Sequence, residues 1–274
     1  MSSLSPDALV AASRLPRAEA RRLLEHASGR RREWLMAHGD EPVDTTVCER
    51  FLTLEERRVN GEPMAYLCGE REFHGLALRI DSAVLIPRPE TELLVDEARR
   101  LAPHGAMVLD LGTGSGAIAI ALATQRVDLS LVATDRSAPA LAVAHQNALH
   151  HGISPQRLAL REGHWWQAVG SAERFDLIVS NPPYIADTDP HLVEGDLRFE
   201  PITALASGPD GLNALREIAM GAPAHLASAG WLAVEHGWNQ GAAVRALFTQ
   251  AGLADVRTRR DLAGHERVTL GCAP

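Results

Sequence analysis

The chain reads as an α/β protein: a mostly parallel seven-stranded sheet covered on both faces, preceded by a small all-helical domain. Three observations predict it. Over residues 1–70 apolar positions recur at helical spacing and each run stops at a glycine. From Phe73 the apolar period switches to two, and short apolar runs then alternate with helical segments. The connections are short, and strand–helix alternation of that kind covers both faces of a parallel sheet. With 274 residues there is room for one such domain and an appendage. The expected boundaries are a helical domain at 1–70, a β-hairpin linker at 71–87 and the α/β domain at 88–274.

The first helix starts at Ser5-Pro6, an N-cap residue followed by a proline at the first helical position. A second, over 17–28, carries Ala20, Leu23, Leu24 and Ala27 on one face and stops at Gly29. A third, over 32–38, stops at Gly39. A fourth, over 44–60, carries Val47, Phe51, Leu54 and Val59 and stops at Gly61. Leu76, Leu78 and Ile80 then alternate, and Val84-Leu85-Ile86 follows Asp81-Ser82, which predicts a hairpin between those two runs. A helix is expected over 90–101. Strands are expected at 107–111, 129–134, 158–161, 175–180 and 231–235, with a final pair at 256–261 and 267–271. No helix separates that last pair, so one of the two should run antiparallel. Helices fall at 116–124, 139–150, 211–226 and 240–251.

Composition excludes several chemistries. The chain has no lysine, and all 27 of its Lys and Arg residues are arginine. That removes Schiff-base chemistry, a P-loop lysine and a Ser-Lys dyad. A net charge of -8 argues against bulk electrostatic capture of nucleic acid. The first 70 residues are themselves slightly acidic, with ten arginines against twelve acids. Arg30-Arg31-Arg32 reads either as a partner patch or as a solvated turn between helices. The longest strongly apolar run, 117–123, is far short of the ~20 residues of a membrane span. The first residues lack the features of a secretory leader. Cys48, Cys68 and Cys272 are widely spaced and odd in number, so neither a metal site nor a disulfide framework fits them. The expectation is a protein of a reducing cytoplasm, without metal or membrane.

Three segments carry chemistry. The first is Asp110-Leu111-Gly112-Thr113-Gly114-Ser115-Gly116, where a buried strand turns on three glycines into a helix start. Glycines allow close approach of backbone to a ligand at the place where open α/β sheets bind one. Asp135 follows Gly116 by nineteen residues, at the end of the next strand, where an acid can accept hydrogen bonds from both hydroxyls of a ribose. The glycine spacing is G-x-G-x-G, which differs from that of dinucleotide enzymes, and Asp110 would repel a pyrophosphate but suit a cationic ligand. These features predict a nucleoside cofactor.

The second segment is Asn181-Pro182-Pro183-Tyr184, directly after the apolar run 175–180. Two prolines bar both helix and ladder, leaving the carbonyls of Asn181 and Pro182 to accept from another group. With the Asn181 side-chain carbonyl and the flat Tyr184 ring, they can hold a planar NH2 group by both hydrogens and stack on its face. The third is Trp165-Trp166, of which one indole is expected to flank an adenine ring and the other to be core. His164 and the remaining histidines show no ligand spacing.

The glycine segment, Asp135 and the Asn-Pro-Pro-Tyr segment together resemble class I S-adenosylmethionine-dependent methyltransferases acting on a planar NH2 nitrogen. Four further stretches narrow this: residues 61–67 (GEPMAYL), 86–92 (IPRPETE), 196–201 (DLRFEP) and Glu235-His236-Gly237. With them the chain resembles the PrmC/HemK family, the peptide chain release factor N5-glutamine methyltransferases, over nearly its whole length. The resemblance implies a Rossmann-like catalytic domain and S-adenosyl-L-methionine as cofactor, with S-adenosyl-L-homocysteine as product. It implies that Asp110, Gly112, Thr113, Gly114, Ser115 and Gly116 contact the cofactor, Asp135 its ribose and Trp165 the neighbourhood of its adenine. Asn181 would meet both cofactor and substrate, and Pro182, Pro183 and Tyr184 the substrate. The implied catalytic residues are Asn181, Pro182 and Tyr184. The implied substrate is the glutamine of the Gly-Gly-Gln loop of bacterial class 1 release factors, met by a monomeric cytoplasmic enzyme. An amino-group methyltransferase of DNA or RNA would share the cofactor and the Asn-Pro-Pro-Tyr segment. It would need a target-recognition domain or a basic face, and neither is visible.

Overall fold

The computed structural model describes residues 4–274, which fall into two compact units divided between Glu70 and Arg71. The first holds five helices: α1 (Pro6–Ala12), α2 (Arg17–Ser28), α3 (Arg32–Ala37), α4 (Thr45–Val59) and α5 (Met64–Cys68). Ser5 caps α1 by accepting from the Ala8 amide, with Pro6 in the first turn. α2 ends at Gly29, whose φ of 65° is the left-handed C-cap conformation that glycine adopts at least cost. Leu9, Leu23, Leu24, Phe51 and Leu67 form the core of this unit.

The fourth helix buries the expected Phe51, with Val47 and Leu54 packed partly buried against the same core, but the rest of its stripe differs. Cys48, Phe51 and Glu55 face inward, while Val59 is 44% exposed. Glu55 is buried because its carboxylate accepts from the Arg14 amide at 2.8 Å and from the Ser13 hydroxyl, a demand that hydrophobic spacing does not reveal. Helix α5 was not foreseen; Pro63 precedes it and Gly69, at φ 70°, ends it after five residues, too few to show a period.

The second unit opens with a two-stranded hairpin of β1 (Glu70–Phe73) and β2 (Leu76–Arg79), turning at His74-Gly75. This corrects the expected pairing. The partner of 76–80 precedes it, and Val84-Leu85-Ile86 forms no strand. The signal for the true partner was weak, because only Phe73 of β1 is buried. After the short 3-10 turn Pro89–Thr91 come α6 (Glu92–Leu101), β3 (Met107–Leu111), α7 (Ala117–Gln125), β4 (Ser130–Asp135), α8 (Ala138–His150) and β5 (Leu158–Glu162). Then follow β6 (Phe175–Ser180), α9 (Asn213–Gly221), β7 (Leu226–Glu235), α10 (Gly241–Gln250), β8 (Ala254–Arg260) and β9 (Glu266–Cys272). The expected helix over 211–226 is shorter than the sequence suggested. Pro223 sits in a 3-10 turn that ends it, and Leu226 already belongs to β7.

The seven strands are ordered β5-β4-β3-β6-β7-β9-β8, parallel except for β9, which is antiparallel to both neighbours. Helix α7 is apolar from Ala117 to Ala123, all of them buried, as befits a helix covered on every side over that length. From β3 the chain moves outward to β4 and β5, then returns to β6 on the other side. The boundary between β3 and β6 is therefore the point where strand order reverses, at which open α/β sheets bind ligands beyond the carboxyl ends of their strands.

Candidate active site

Register brings the motifs together. Leu111 pairs with Thr134 on one side and with Ser180 on the other, so the residues just beyond them, Gly112, Asp135 and Asn181, emerge side by side. The Ser180 hydroxyl donates to the Leu111 carbonyl at 2.7 Å and fixes that alignment. Beyond these ends lies a cleft of about 330 Å³, within the usual range for small-molecule sites. Its walls include Gly112–Ser115, Asp135, Trp165, Asn181 and Pro183. Asp110, Gly116, Pro182 and Tyr184 are not among the residues that line it.

The glycine turn is held by its neighbours. The amides of Gly112 and Thr113 both donate to the Thr134 carbonyl at 2.9 Å. Gly112 has φ 73°, and a Cβ there would sit 3.1 Å from the Trp165 ring, so only glycine lets that indole close on the turn. The Asp135 carboxylate accepts from Gly114 N through Oδ2 and from Ser137 N through Oδ1, each at 2.9 Å. It thereby ties the glycine turn to the start of α8. Asp110 is fully buried, accepts from the Thr113 hydroxyl at 2.6 Å through Oδ2, and has no partner on Oδ1. Burial, partly opposed by that hydroxyl, pushes its carboxyl up to about 7.

The two tryptophans separate cleanly. Trp165 has φ 44°, a left-handed conformation that a bulky residue adopts only when its surroundings impose it, and it faces the cleft. Trp166 stacks on His225 at 4.9 Å and donates its indole N–H to the Glu217 carbonyl. His164 lies 3.3 Å from the Glu217 carboxylate.

The Asn-Pro-Pro-Tyr loop is anchored at both ends. Asn181 Nδ2 donates to the Thr91 hydroxyl at 3.1 Å. The Tyr184 hydroxyl donates to Glu235 Oε1 at 3.3 Å, and the Tyr184 carbonyl accepts from Gln240 Nε2 at 2.9 Å. Gly211, at φ 73°, packs so closely that a Cβ would run into that same carbonyl. Burial and the neighbouring Glu235 both push the Tyr184 hydroxyl up, so it stays a donor. Burial likewise pushes the Glu235 carboxyl up to about 7. Across the cleft, Glu200 pairs with Arg88 and accepts from the Ile86 amide at 3.0 Å, joining two segments that meet the cleft at Pro87 and Pro201.

Sequence reasoning missed Thr91, Gly211 and the cleft-lining run Val84-Leu85. Each acts through an approach between distant segments. Only Glu235 had a local signal, as an acid ending the otherwise apolar run 231–234.

Residues 7–69 match the family described as PrmC N-terminal domain, and 89–195 that described as methyltransferase small domain. The release factor glutamine methyltransferase of Xylella fastidiosa (strain Temecula1) is 54% identical over 98% of each chain. The chain belongs to the release factor glutamine methyltransferase family. The Escherichia coli K12 member is 46% identical, over 95% of this chain and 93% of its own. A methyltransferase structure from Pyrococcus furiosus superposes with a TM-score of 0.56 at 17% identity, covering 80% of this chain and 97% of that one, and speaks for the fold alone.

The chain is thus an S-adenosyl-L-methionine-dependent methyltransferase, and its cleft suits that cofactor. A glycine cradle that a Cβ would fill, an acid beside it and an indole across from it match a nucleoside with a polyhydroxyl sugar and a flat base. No described helix is long and apolar enough to cross a membrane.

Proposed function

We propose that this protein transfers a methyl group from S-adenosyl-L-methionine to the side-chain amide nitrogen of the glutamine in the Gly-Gly-Gln loop of bacterial class 1 release factors. The observation that carries this reading is Asn181. Its NH2 is held by Thr91 while its Oδ1 remains for a ligand, on the cleft wall next to the glycine turn. When bound, the cofactor supplies a methyl group on a positively charged sulfur, a strong electrophile. Gly112 and Gly114 hold it through backbone, Asp135 through its ribose and Trp165 beside its adenine.

An amide nitrogen is a poor nucleophile because its lone pair is shared with the carbonyl, so the protein's task is alignment. Asn181 Oδ1 accepts one N–H of the glutamine amide, and the carbonyl of Pro182 accepts the other. With both hydrogens held, rotation about the C–N bond is blocked and the nitrogen is aimed at the cleft. Pro183 and Tyr184 keep that loop rigid, since two prolines leave few backbone states. As the N–C bond formed, the methyl's C–S bond would break to release S-adenosyl-L-homocysteine; these acceptors would favour the positive charge developing on nitrogen, and one amide proton would pass by way of them to water.

Every residue lining the cleft belongs to the second unit. Residues 1–70 are read as the unit that grips the release factor away from its glutamine, 71–87 as the linker and 88–274 as the catalytic domain. The enzyme is read as a monomer of the reducing cytoplasm, in keeping with its three free cysteines, and as having no nucleic-acid substrate. The test is methyl transfer from labelled cofactor to a purified release factor or to DNA. Label should enter the factor and vanish when its loop glutamine is replaced; label in DNA would overturn the reading.

A further inference from the structure

The Asn-Pro-Pro-Tyr loop can present its acceptors steadily only if its far end is held. Pro182 and Pro183 have no N–H and cannot fasten the segment by donating to a neighbour. Fastening resumes at the peptide that follows Tyr184. Its oxygen, the Tyr184 carbonyl, accepts from Gln240 Nε2 at 2.9 Å, and its N–H, that of Ile185, donates to the Leu205 carbonyl at 2.9 Å. Pro183 fixes its own φ and restricts the conformation of Pro182, so few free torsions separate this peptide from the Pro182 carbonyl. The two carbonyls move together.

Gln240 is half-buried and is not among the residues that line the cleft. Its Oε1 accepts from the Gly237 amide at 2.9 Å, and its own backbone amide donates to the Gly237 carbonyl at 2.9 Å. Backbone groups thus stand at both ends of the side chain, an N–H that can only donate and a carbonyl that can only accept. They fix the sense of the Gln240 amide. Its footing is fixed as well. His236 Nδ1 meets the same Gly237 carbonyl at 2.9 Å and so carries the proton, leaving Nε2 to accept from the Thr269 hydroxyl at 2.8 Å. Both residues are fully buried, and burial of the imidazole keeps it in that neutral form.

The two halves of the Gln240 amide have different uses. Closing the turn into α10 needs only an acceptor three residues on, for which glutamate serves as well as glutamine. That turn has no use for Nε2. The donor reaches a different segment, at a place where Gly211 comes so close that a Cβ would lie 2.9 Å from Nε2. The Tyr184 carbonyl is what calls for glutamine here.

We propose that Gln240 is a positioning residue, a strut from the start of α10 to the Tyr184 carbonyl that keeps the Pro182 carbonyl in place to accept a hydrogen of the substrate amide. Without it the loop keeps its functional groups and loses their alignment.

This rests on the amide-transfer reading, and the experiment separates the two. Gln240→Glu and Gln240→Ala are compared with wild type. Glutamate keeps the acceptor for Gly237 but sets a second oxygen against the Tyr184 carbonyl, whereas alanine removes both contacts. At about pH 8, hydrogen exchange followed by NMR should show the Ile185 amide exchanging at least about tenfold faster in both variants, and the Gly237 amide faster only in Gln240→Ala. Single-turnover methylation of a purified release factor should slow about tenfold or more in both, with cofactor affinity within about twofold of wild type. A protonated carboxyl offers one accepting oxygen and one O–H donor, the same pair that glutamine offers. The rate of Gln240→Glu relative to wild type should therefore rise at least about fivefold as pH falls from ~8 to ~5.5, while that of Gln240→Ala stays level. The ratio removes the titration of Tyr184, Glu235, His236 and Glu266, which all three proteins share. A wild-type rate in Gln240→Glu at the higher pH, a ratio that ignores pH, or unchanged Ile185 exchange would overturn the proposal. If the wild-type enzyme fails to methylate the factor, the functional reading falls, and the exchange of Ile185 and Gly237 still decides whether Gln240 is a strut.

Discussion

Replacing Asp135 by alanine separates two duties that one carboxylate performs. Its oxygens accept from Gly114 N and Ser137 N at 2.9 Å each, so it braces the glycine turn before any ligand arrives. A carboxylate has about four lone-pair positions, which leaves capacity for the two hydroxyls of a ribose. Hydrogen bonds to a charged acceptor are worth ~1.5–3 kcal/mol, so losing the ribose contacts should raise the cofactor dissociation constant about 10- to 150-fold. Losing the brace should lower folding stability by ~1–3 kcal/mol, toward the smaller figure, because the freed amides in this half-buried position can be rehydrated. Calorimetric titration gives the first quantity and denaturant unfolding of the free protein the second. Asp135→Asn divides them further. It keeps one acceptor oxygen but turns an NH2 against a backbone N–H, so the brace should suffer at least as much as ribose binding. A folded Asp135→Ala protein with wild-type cofactor affinity would refute the placement of the ribose beside β4.

Gly112→Ala meets both a left-handed backbone, at ~1–2 kcal/mol, and the Trp165 ring 3.1 Å from the new Cβ. Cofactor affinity by calorimetry should fall at least about tenfold, consistent with those costs. Gly211→Ala should act on the other substrate. Its Cβ displaces the Tyr184 carbonyl, so single-turnover methylation slows while cofactor affinity stays as in wild type. Asp110 and Glu235 both have carboxyls that burial raises to about 7. The folded state then holds their protons more tightly than the unfolded state. Their contribution to stability is greatest below the ordinary carboxylate range and is lost as pH rises toward 7. Tm should therefore fall between about pH 5 and 7.5, and fall less steeply in Asp110→Asn and Glu235→Gln. A protein lacking residues 1–70, shown to be folded by cofactor binding, should bind cofactor normally and fail to methylate the intact release factor. Undiminished methylation would remove the helical unit from substrate recognition.

The limits of the sequence follow from what local pattern can encode. The central strands were legible because a parallel sheet covered on both faces forces each of them to be an apolar run, and 107–111 and 175–180 coincide with β3 and β6, whereas the edge strand β8 buries none of its residues. The glycine turn was legible because positive φ at Gly112, Gly114 and Gly116 restricts residue choice in consecutive positions. What escaped was whatever depends on a second segment. The strand pairing of 70–73 with 76–79 hid behind a single buried side chain. Glu55 interrupts the apolar stripe of α4 because a backbone amide some forty residues earlier needs an acceptor. The same reason hides the partners of Asn181. Asn-Pro-Pro-Tyr announces a loop that can clasp an NH2 group, but an amide side chain is nearly symmetric in shape and its hydrogen-bonding sense is set from outside. Here Asn181 Nδ2 meets the Thr91 hydroxyl, ninety residues upstream, and the Tyr184 hydroxyl meets Glu235 at the end of β7. Asn181 and Glu235 come alongside each other because β6 pairs with β7, Ser180 opposite Val234. The motif supplies the functional group, and the pairing of distant segments supplies its neighbours.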